Sequence, residues 1–539
     1  MAKWSAVSIL GCAQFVMVLD STVMNVSISQ VVSDLDTTVA AMQATITFYT
    51  LTMAAVMLLG AKLGDVWGRR RAFIVGSIVY GIGSLLTGLS PNIVLLFIGW
   101  AVIEGLGAVL VIPAIAALVA DNYTGRDRVT AFAAIGAISG GAVAAGPLIG
   151  GLITTYASWR YVFIGETVVM IGVLLLTRFV ADRSKPARIR IDVWSVLLSA
   201  VGLILIVFGM LQSKTWGWIL PIVPADDGGF PITPLGLSLV PYLIAAGAAV
   251  VWLFFKRQVY LTRTGRVPLL QVSLFKIAQL RSGLSVLGAQ YAVTAGLFFM
   301  VPIYLQMTLG LDALSTGIRI FPLSVALILF SIVGTILSRR WSPRRIVRIG
   351  QVILVLSSLV LLAAVSTDLR SIAFGTGMFF AGTGLGLLAS QLGNVNMSSV
   401  SERESSEVGG LQGVFQNLGS SLGTALIGSV LIASLGTAFL SGVNSSDLPD
   451  SAKTAVSEAT QSGVDIVPAS SVPSIAKDAG LSSSDGTTLE EVYSEAQIGA
   501  LRVSFFVLTV IAGLALFLTR DIPTTVTVVQ KTRERPRRA

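Results

Sequence analysis

The 539-residue sequence predicts an all-α polytopic membrane protein with fourteen spans, and three observations carry that reading. The chain is 54% hydrophobic and only 12% charged, with a mean hydropathy of +0.82, so its apolar segments have to lie in lipid and not in soluble cores. Those segments run to about twenty residues, the length a helix needs to cross the hydrocarbon layer. Basic residues concentrate in the loops after every second segment, the charge pattern of alternating membrane faces. The net charge of +9 is therefore topological and not a nucleic-acid patch, because the basic residues sit in short loops without interleaved aromatics.

Apolar spans begin near Ala6, Ala44, Phe73, Ile93, Ala131, Tyr161, Val193, Leu235, Leu284, Ile318, Val347, Ile372, Leu411 and Ala500. The loops after even-numbered spans carry Arg69 to Arg71, then Arg126 and Arg128, then Arg178, Arg183, Lys185, Arg188 and Arg190. Lys256, Arg257, Arg263 and Arg266 follow the eighth span, and Arg339, Arg340, Arg344 and Arg345 the tenth. These loops are expected to face the cytoplasm of a bacterial cell, across its inner membrane. The tail from Lys531 to Arg538 is also basic, so both termini are expected there, which requires an even number of spans. Loops after odd spans are short, or acidic as at Asp34, Asp36, Asp226 and Asp227.

The expected division is a six-helix bundle at 1–185, two extra helices at 186–262 (about Val193 to Gln212 and Leu235 to Phe255), and five helices of a second bundle at 263–435. A polar outer segment at 436–498, a last helix at 499–520 and a basic tail at 521–539 complete it. The outer segment is rich in Ser, Asp and Glu. It reads either as a mobile solvated loop or as an outer cap or attractor for cations. Short apolar stretches such as Val472 to Ala476 suit brief helices within it.

Several chemistries are excluded by composition. The chain has no histidine, which removes the usual zinc sites and imidazole relays and leaves carboxylates to titrate inside the membrane. One cysteine, Cys12, forbids an intramolecular disulfide and reads as a small buried residue of the first helix. Ile9-Leu10-Gly11-Cys12 has the outline of a lipoprotein cleavage site, but the apolar run continues past it, so the first span is expected to be retained. No Gly-x-x-x-x-Gly-Lys loop occurs, which argues against direct ATP drive.

The most specific motif is Ala61-Lys62-Leu63-Gly64-Asp65-Val66-Trp67-Gly68-Arg69-Arg70-Arg71, a turn at the bilayer surface between spans two and three. Gly64 and Gly68 allow close approach and unusual dihedrals, Asp65 can pair with an arginine across the turn, and the arginines hold the loop at the cytoplasmic face. An ordinary positive-inside loop would explain the arginines but neither the glycines nor the carboxylate. This segment resembles the signature loop of the major facilitator superfamily, Gly-x-Leu-Ala-Asp-Arg-x-Gly-Arg-Arg, which is associated there with gating. It departs at Ala61 and Val66, where that pattern has glycine and arginine.

Two further segments narrow the resemblance. Gly141-Ala142-Val143-Ala144-Ala145-Gly146-Pro147-Leu148-Ile149-Gly150-Gly151 puts small residues at helical spacing around a proline, permitting close helix contact and a kink. It resembles the superfamily's antiporter motif, carried here by Gly146, Pro147, Gly150 and Gly151; a generic packing face would need only the glycines. Leu19-Asp20-Ser21-Thr22-Val23-Met24-Asn25-Val26 resembles the first-helix motif of the fourteen-span drug:proton antiporters, with Ser29 where a proline is usual, a change expected to straighten the end of that helix. Trp159-Arg160-Tyr161-Val162-Phe163, Tyr304-Leu305-Gln306 and Gln416-Asn417-Leu418-Gly419 extend the resemblance from about residue 4 to about residue 520. In the fourth span that family has Arg-x-x-Gln-Gly-x-Gly, whereas this chain reads Ala101-Val102-Ile103-Glu104-Gly105-Leu106-Gly107, so the arginine's proton-coupling role does not carry over.

Three carboxylates fall within spans. At 1.5 Å per residue, Asp20 lies roughly 24 Å along helix one, Glu104 roughly 18 Å into helix four and Glu166 about 9 Å into helix six. A lipid-facing carboxylate is costly, so each is expected to face a cavity or a partner and to be able to exchange a proton for a cation; each could equally be a satisfied structural carboxylate, with Arg160 the natural partner of Glu166. The resemblance implies a proton-driven exporter of amphipathic cationic or lipophilic compounds, not an enzyme, with no cofactor beyond the proton gradient and working as a monomer among membrane lipids. Its expected cavity residues are Asn25, Gln43, Tyr49, Tyr291, Phe298, Gln412 and Gln416. Export of an endogenous lipid or metabolite, and a non-transporting membrane sensor, are the alternatives.

Overall fold

The computed structural model describes residues 4–182, 191–221, 234–367, 369, 371–400, 404–460 and 464–524. Arg183, Lys185, Arg188, Arg190, Asp226, Asp227 and the tail from Lys531 to Arg538 lie outside the described residues, as does the side chain of Arg126. Among the described residues fourteen helices are long and apolar enough to cross a membrane. The first six are α1 (Ser5–Val26), α2 (Val39–Trp67), α3 (Arg69–Gly88), α4 (Ile93–Asn122), α5 (Thr130–Tyr156) and α6 (Arg160–Phe179). Then come α7 (Val193–Trp216) and α8 (Leu239–Arg263), followed by α9 (Ala278–Thr308), α10 (Ala313–Leu337), α11 (Pro343–Ala364) and α12 (Ser371–Met397). The last two, α13 (Glu407–Ser445) and α14 (Ser483–Asp521), are the longest.

The α2–α3 turn is tighter than the sequence suggested. α2 ends at Trp67 and α3 begins at Arg69, so Gly68 alone reverses the chain, at φ +92, where a side chain would be strained. α1 is not straightened by Ser29. It breaks at Ser27, whose hydroxyl meets Thr154 Oγ1 at 2.8 Å, and resumes as a short helix, Ile28–Asp34. Trp4 stacks on Tyr123 at 5.3 Å and the Arg344 N–H donates to the Pro523 carbonyl, so both described ends of the chain share the face that carries the basic loops.

α7 and α8 pair closely through Gly202, Gly209 and Gly247, and lean on the seam between the bundles. There Ser199 donates to the Ala55 carbonyl of α2 and Ser429 of α13 donates to Met210 of α7. At the opposite face, the described residues of the acidic segment fold as a helical cap. α13 extends to Ser445, α14 begins at Ser483 instead of near Ala500, and short helices at Asp450–Ala459 and Val472–Asp478 lie between. Val456, Ile466, Val472 and Leu489 are buried there, and the Tyr493 hydroxyl donates to Asp465 O while accepting from Val467 N–H.

Asp192 caps α7 by accepting from the Ser195 N–H at 2.9 Å and holds Arg257 of α8 through two hydrogen bonds of 2.6 Å. That guanidinium keeps the Asp192 carboxyl well below the usual carboxylate range. Because the folded-state value is depressed, the stabilisation is complete above the ordinary carboxylate range and is lost as pH falls through and below it. Asp192→Ala is expected to cost about 2 kcal/mol at neutral pH. Thermal unfolding in detergent at pH 7 and again near pH 3 checks this, with the gap to wild type narrowing at the lower pH.

Candidate functional site: a buried carboxylate cluster

Small residues on both α3 and α4 let the two helices approach until backbones touch. A Cβ at Gly83 would sit 2.5 Å from the Glu104 nitrogen, and one at Gly107 would overlap Tyr80. Facing them, α4 winds as a π-helix from Phe97 to Glu104, a local widening that turns Trp100 and Glu104 toward α1, α3 and α6. The result gathers all three carboxylates that the sequence had spread over three spans. Asp20, Glu104 and Glu166 each present an oxygen within 4.8 Å of the others, at exposures of 0%, 0% and 3%, so none meets bulk water.

Their hydrogen bonding is unequal. Trp100 Nε1 donates to both Asp20 oxygens at 3.0 Å, and its ring stacks on Tyr49 at 4.8 Å. Ser84 donates to Glu166 Oε2 at 2.8 Å and the Tyr80 hydroxyl to the same atom at 3.3 Å. Both Glu104 oxygens and Glu166 Oε1 are buried without a hydrogen-bond partner. Arg160 does not neutralise Glu166 as expected; it lies at the helix end, pairs with Asp34 at 3.2 Å and donates to the Ser90 carbonyl. Among the described residues none of the three carboxylates is in an ion pair. Two unit charges this far apart repel by about 3 kcal/mol at an effective dielectric near 20, so the cluster needs protons or a cation to offset its charge.

The two bundles meet at the face opposite the basic loops. A Cβ at Gly151 would sit 2.5 Å from the Ala313 carbonyl, one at Gly317 would overlap the Pro147 carbonyl, and Leu314 N–H donates to Thr155 Oγ1 at 3.0 Å. Ser29 donates to Gln306, which in turn donates to the Val26 carbonyl at 2.8 Å. Toward the basic face the bundles separate around a cavity of about 470 Å³. α2 (Met57 to Asp65), α4 (Ile112 to Asp121), Phe132 of α5 and Gly409 to Gly413 of α13 line it.

The family model described as Major Facilitator Superfamily matches residues 10–424. The chain belongs to the major facilitator superfamily. Among its relatives, a probable actinorhodin transporter of Streptomyces coelicolor is 28% identical over 81% of this chain and 73% of its own length. A tetracenomycin C resistance and export protein of Streptomyces glaucescens is 27% identical over 96% of this chain and 92% of its own. A multidrug resistance protein B homolog of Mycobacterium tuberculosis is 29% identical over 77% and 73%. A bacterial homolog of the human lysosomal transporter Spinster, solved inward-facing and occupied, shares the fold at a TM-score of 0.60 and 15% identity, covering 96% of both chains. Fold and family are thus those of a multi-pass membrane transporter, two six-helix bundles with an added central pair.

The superfamily loop braces its own bundle. Arg69 pairs with Asp121 of α4 at 2.8 Å, and the Arg70 N–H donates to Asp182 beyond α6 at 3.0 Å. Asp65 makes no ion pair with an arginine across the turn; it lines the cavity. In the antiporter motif Gly146 accommodates Thr22 and Gly150 accommodates Val23, so α1 and α10 pack on neighbouring faces of the same stretch of α5.

None of the seven expected cavity residues lines the 470 Å³ cavity. Tyr49 belongs to the carboxylate site, and Gln43 ties α2 to α13 by donating to the Thr424 and Ala425 carbonyls at 3.2 Å. Asn25 donates to Ser21 in its own helix, and Gln412 reaches Gly393 O at 3.5 Å. Phe298 is buried in the core, Tyr291 packs against it, and Gln416 is half-buried on α13. Sequence reading missed Trp100, Tyr80 and Ser84. Their signal was spacing: Trp100 precedes Glu104 and Tyr80 precedes Ser84 by four residues, one helical face each. Gly83→Leu is expected to drive α3 from α4 and cost at least about 2 kcal/mol, measured by thermal unfolding in detergent, with an exposed control such as Gly165→Leu near neutral.

Proposed function

We propose that this transporter exports amphipathic cationic or lipophilic compounds in exchange for protons, by rocking its bundles about the α2–α13 contact so that the α5–α10 junction opens and closes. The observation that carries this is the convergence of Asp20, Glu104 and Glu166 without a counter-cation. A site of that kind can hold protons or a cationic cargo and is poorly satisfied with neither. One proton crossing 100 mV supplies about 2.3 kcal/mol, enough for a gradient of tens-fold. The relatives named for multidrug and antibiotic resistance support the same reading.

By the positive-inside rule the basic face is cytoplasmic, in a bacterial inner membrane, with both termini on that side. The cavity then opens inward and the α5–α10 contact closes the outside. The working unit is a monomer that uses the proton gradient and no cofactor. A second reading, export of an endogenous compound, draws support from the relatives named as an actinorhodin transporter and a tetracenomycin C export protein.

Acid-loaded inverted vesicles containing the protein should release protons when a lipophilic cation is added. Asp20→Asn and Glu104→Gln should each reduce that release at least about tenfold with the protein still folded. Silence toward every cation, alongside uptake of a neutral compound, would replace this reading by the second.

A further inference from the structure

The carboxylate cluster has an approach that does not pass between the bundles. On the membrane side of the first bundle, α1, α5 and α6 enclose a groove of about 650 Å³. Its walls are apolar, formed by Phe15, Leu19, Ile149, Ile153 and Val169 among others, and Glu166 lies at its floor. Of the three carboxylates Glu166 alone lines this groove, and none lines the cavity between the bundles. Gly165 widens it, since nothing lies within 4 Å of where its Cβ would be.

We propose that this groove is a membrane-side binding site for a monocationic amphiphile, with the apolar body against α1, α5 and α6 and the ammonium head drawn to the Glu166 carboxylate at its floor. The inference rests on the carboxylates being the cargo's charge partners. Charge complementarity selects the occupant. An acyl chain would fill the apolar walls but leave Glu166 Oε1 buried and unpartnered, as it now stands, whereas an ammonium head satisfies it. Glu166 Oε2 is already held by Ser84 and Tyr80, which fixes the carboxylate and leaves its other oxygen buried without a hydrogen bond. The volume falls in the range of small-molecule sites, about 300–1,000 Å³.

The chain's one cysteine supplies the probe, because Cys12 is exposed on the outer face of α1, not buried as the sequence suggested, and lines the groove. In proteoliposomes of the full chain, dodecylammonium should slow alkylation of Cys12 by N-ethylmaleimide about tenfold, and dodecanol should not. Gly165→Phe, which fills the groove from an exposed position without touching a carboxylate, should abolish the protection. Glu166→Gln should erase the preference for the ammonium over the alcohol. Equal protection by dodecanol in wild type, or protection unchanged by Gly165→Phe, would overturn the proposal. Proton release measured on the same preparation separates the two readings: release without Cys12 protection removes the groove and keeps antiport, and protection without release keeps the groove as a binding site and removes antiport.

Discussion

Burying three carboxylates inside an apolar bundle without a counter-cation is the constraint around which the first bundle is organised. Such a cluster is tolerable only if its oxygens are held apart, hydrogen-bonded where they can be, and charge-compensated by protons or a cation. The helices supply the first two conditions. Gly83 and Gly107 bring α3 and α4 together, the π-helix rotates Trp100 onto Asp20, and Ser84 and Tyr80 hold one oxygen of Glu166. The third condition is left open, because the arginine that the resembling family carries at the position of Ala101 is missing here.

The junction between bundles is built on the opposite principle, with contact in place of charge. Gly146 and Gly150 seat Thr22 and Val23 of α1, while Gly151 and Gly317 let α5 and α10 touch backbone to backbone. Contacts of this kind depend on dispersion and shape, and carry no buried charge that would oppose separation. α2 and α13 are tied differently, by Gln43 donating to two carbonyls and Ser421 donating to Thr47, which suits an axis better than a gate. The added pair α7 and α8 rests against this axis, where it braces both bundles without covering the cavity.

The span pattern was legible because each crossing is written locally: twenty apolar residues and a basic loop specify a helix and its face whatever its neighbours are. The same holds for the turn at Gly68 and for the small-residue run of α5, where the side chains themselves limit what the backbone can do. Polar sequence was a poorer guide. The segment after α13 has the composition of a solvated loop, yet it folds because Val456, Ile466 and Leu489 find a shared apolar layer with Tyr493. Alternating short apolar stretches in a polar background do not reveal whether they have a common partner.

The site divides along the same line. Sequence by itself determined that Asp20, Glu104 and Glu166 lie inside spans, since each crossing is written locally, but the rise per residue placed Glu104 deeper than Glu166 although the structure brings them to one level. Only the tertiary structure decided that they face one another, that Arg160 turns to Asp34, and that Gln43 binds a neighbouring helix instead of a cavity. Those outcomes depend on the rotation of each helix about its axis and on which helix packs beside it. Both are set by contacts between residues far apart in the chain, and no local pattern encodes them.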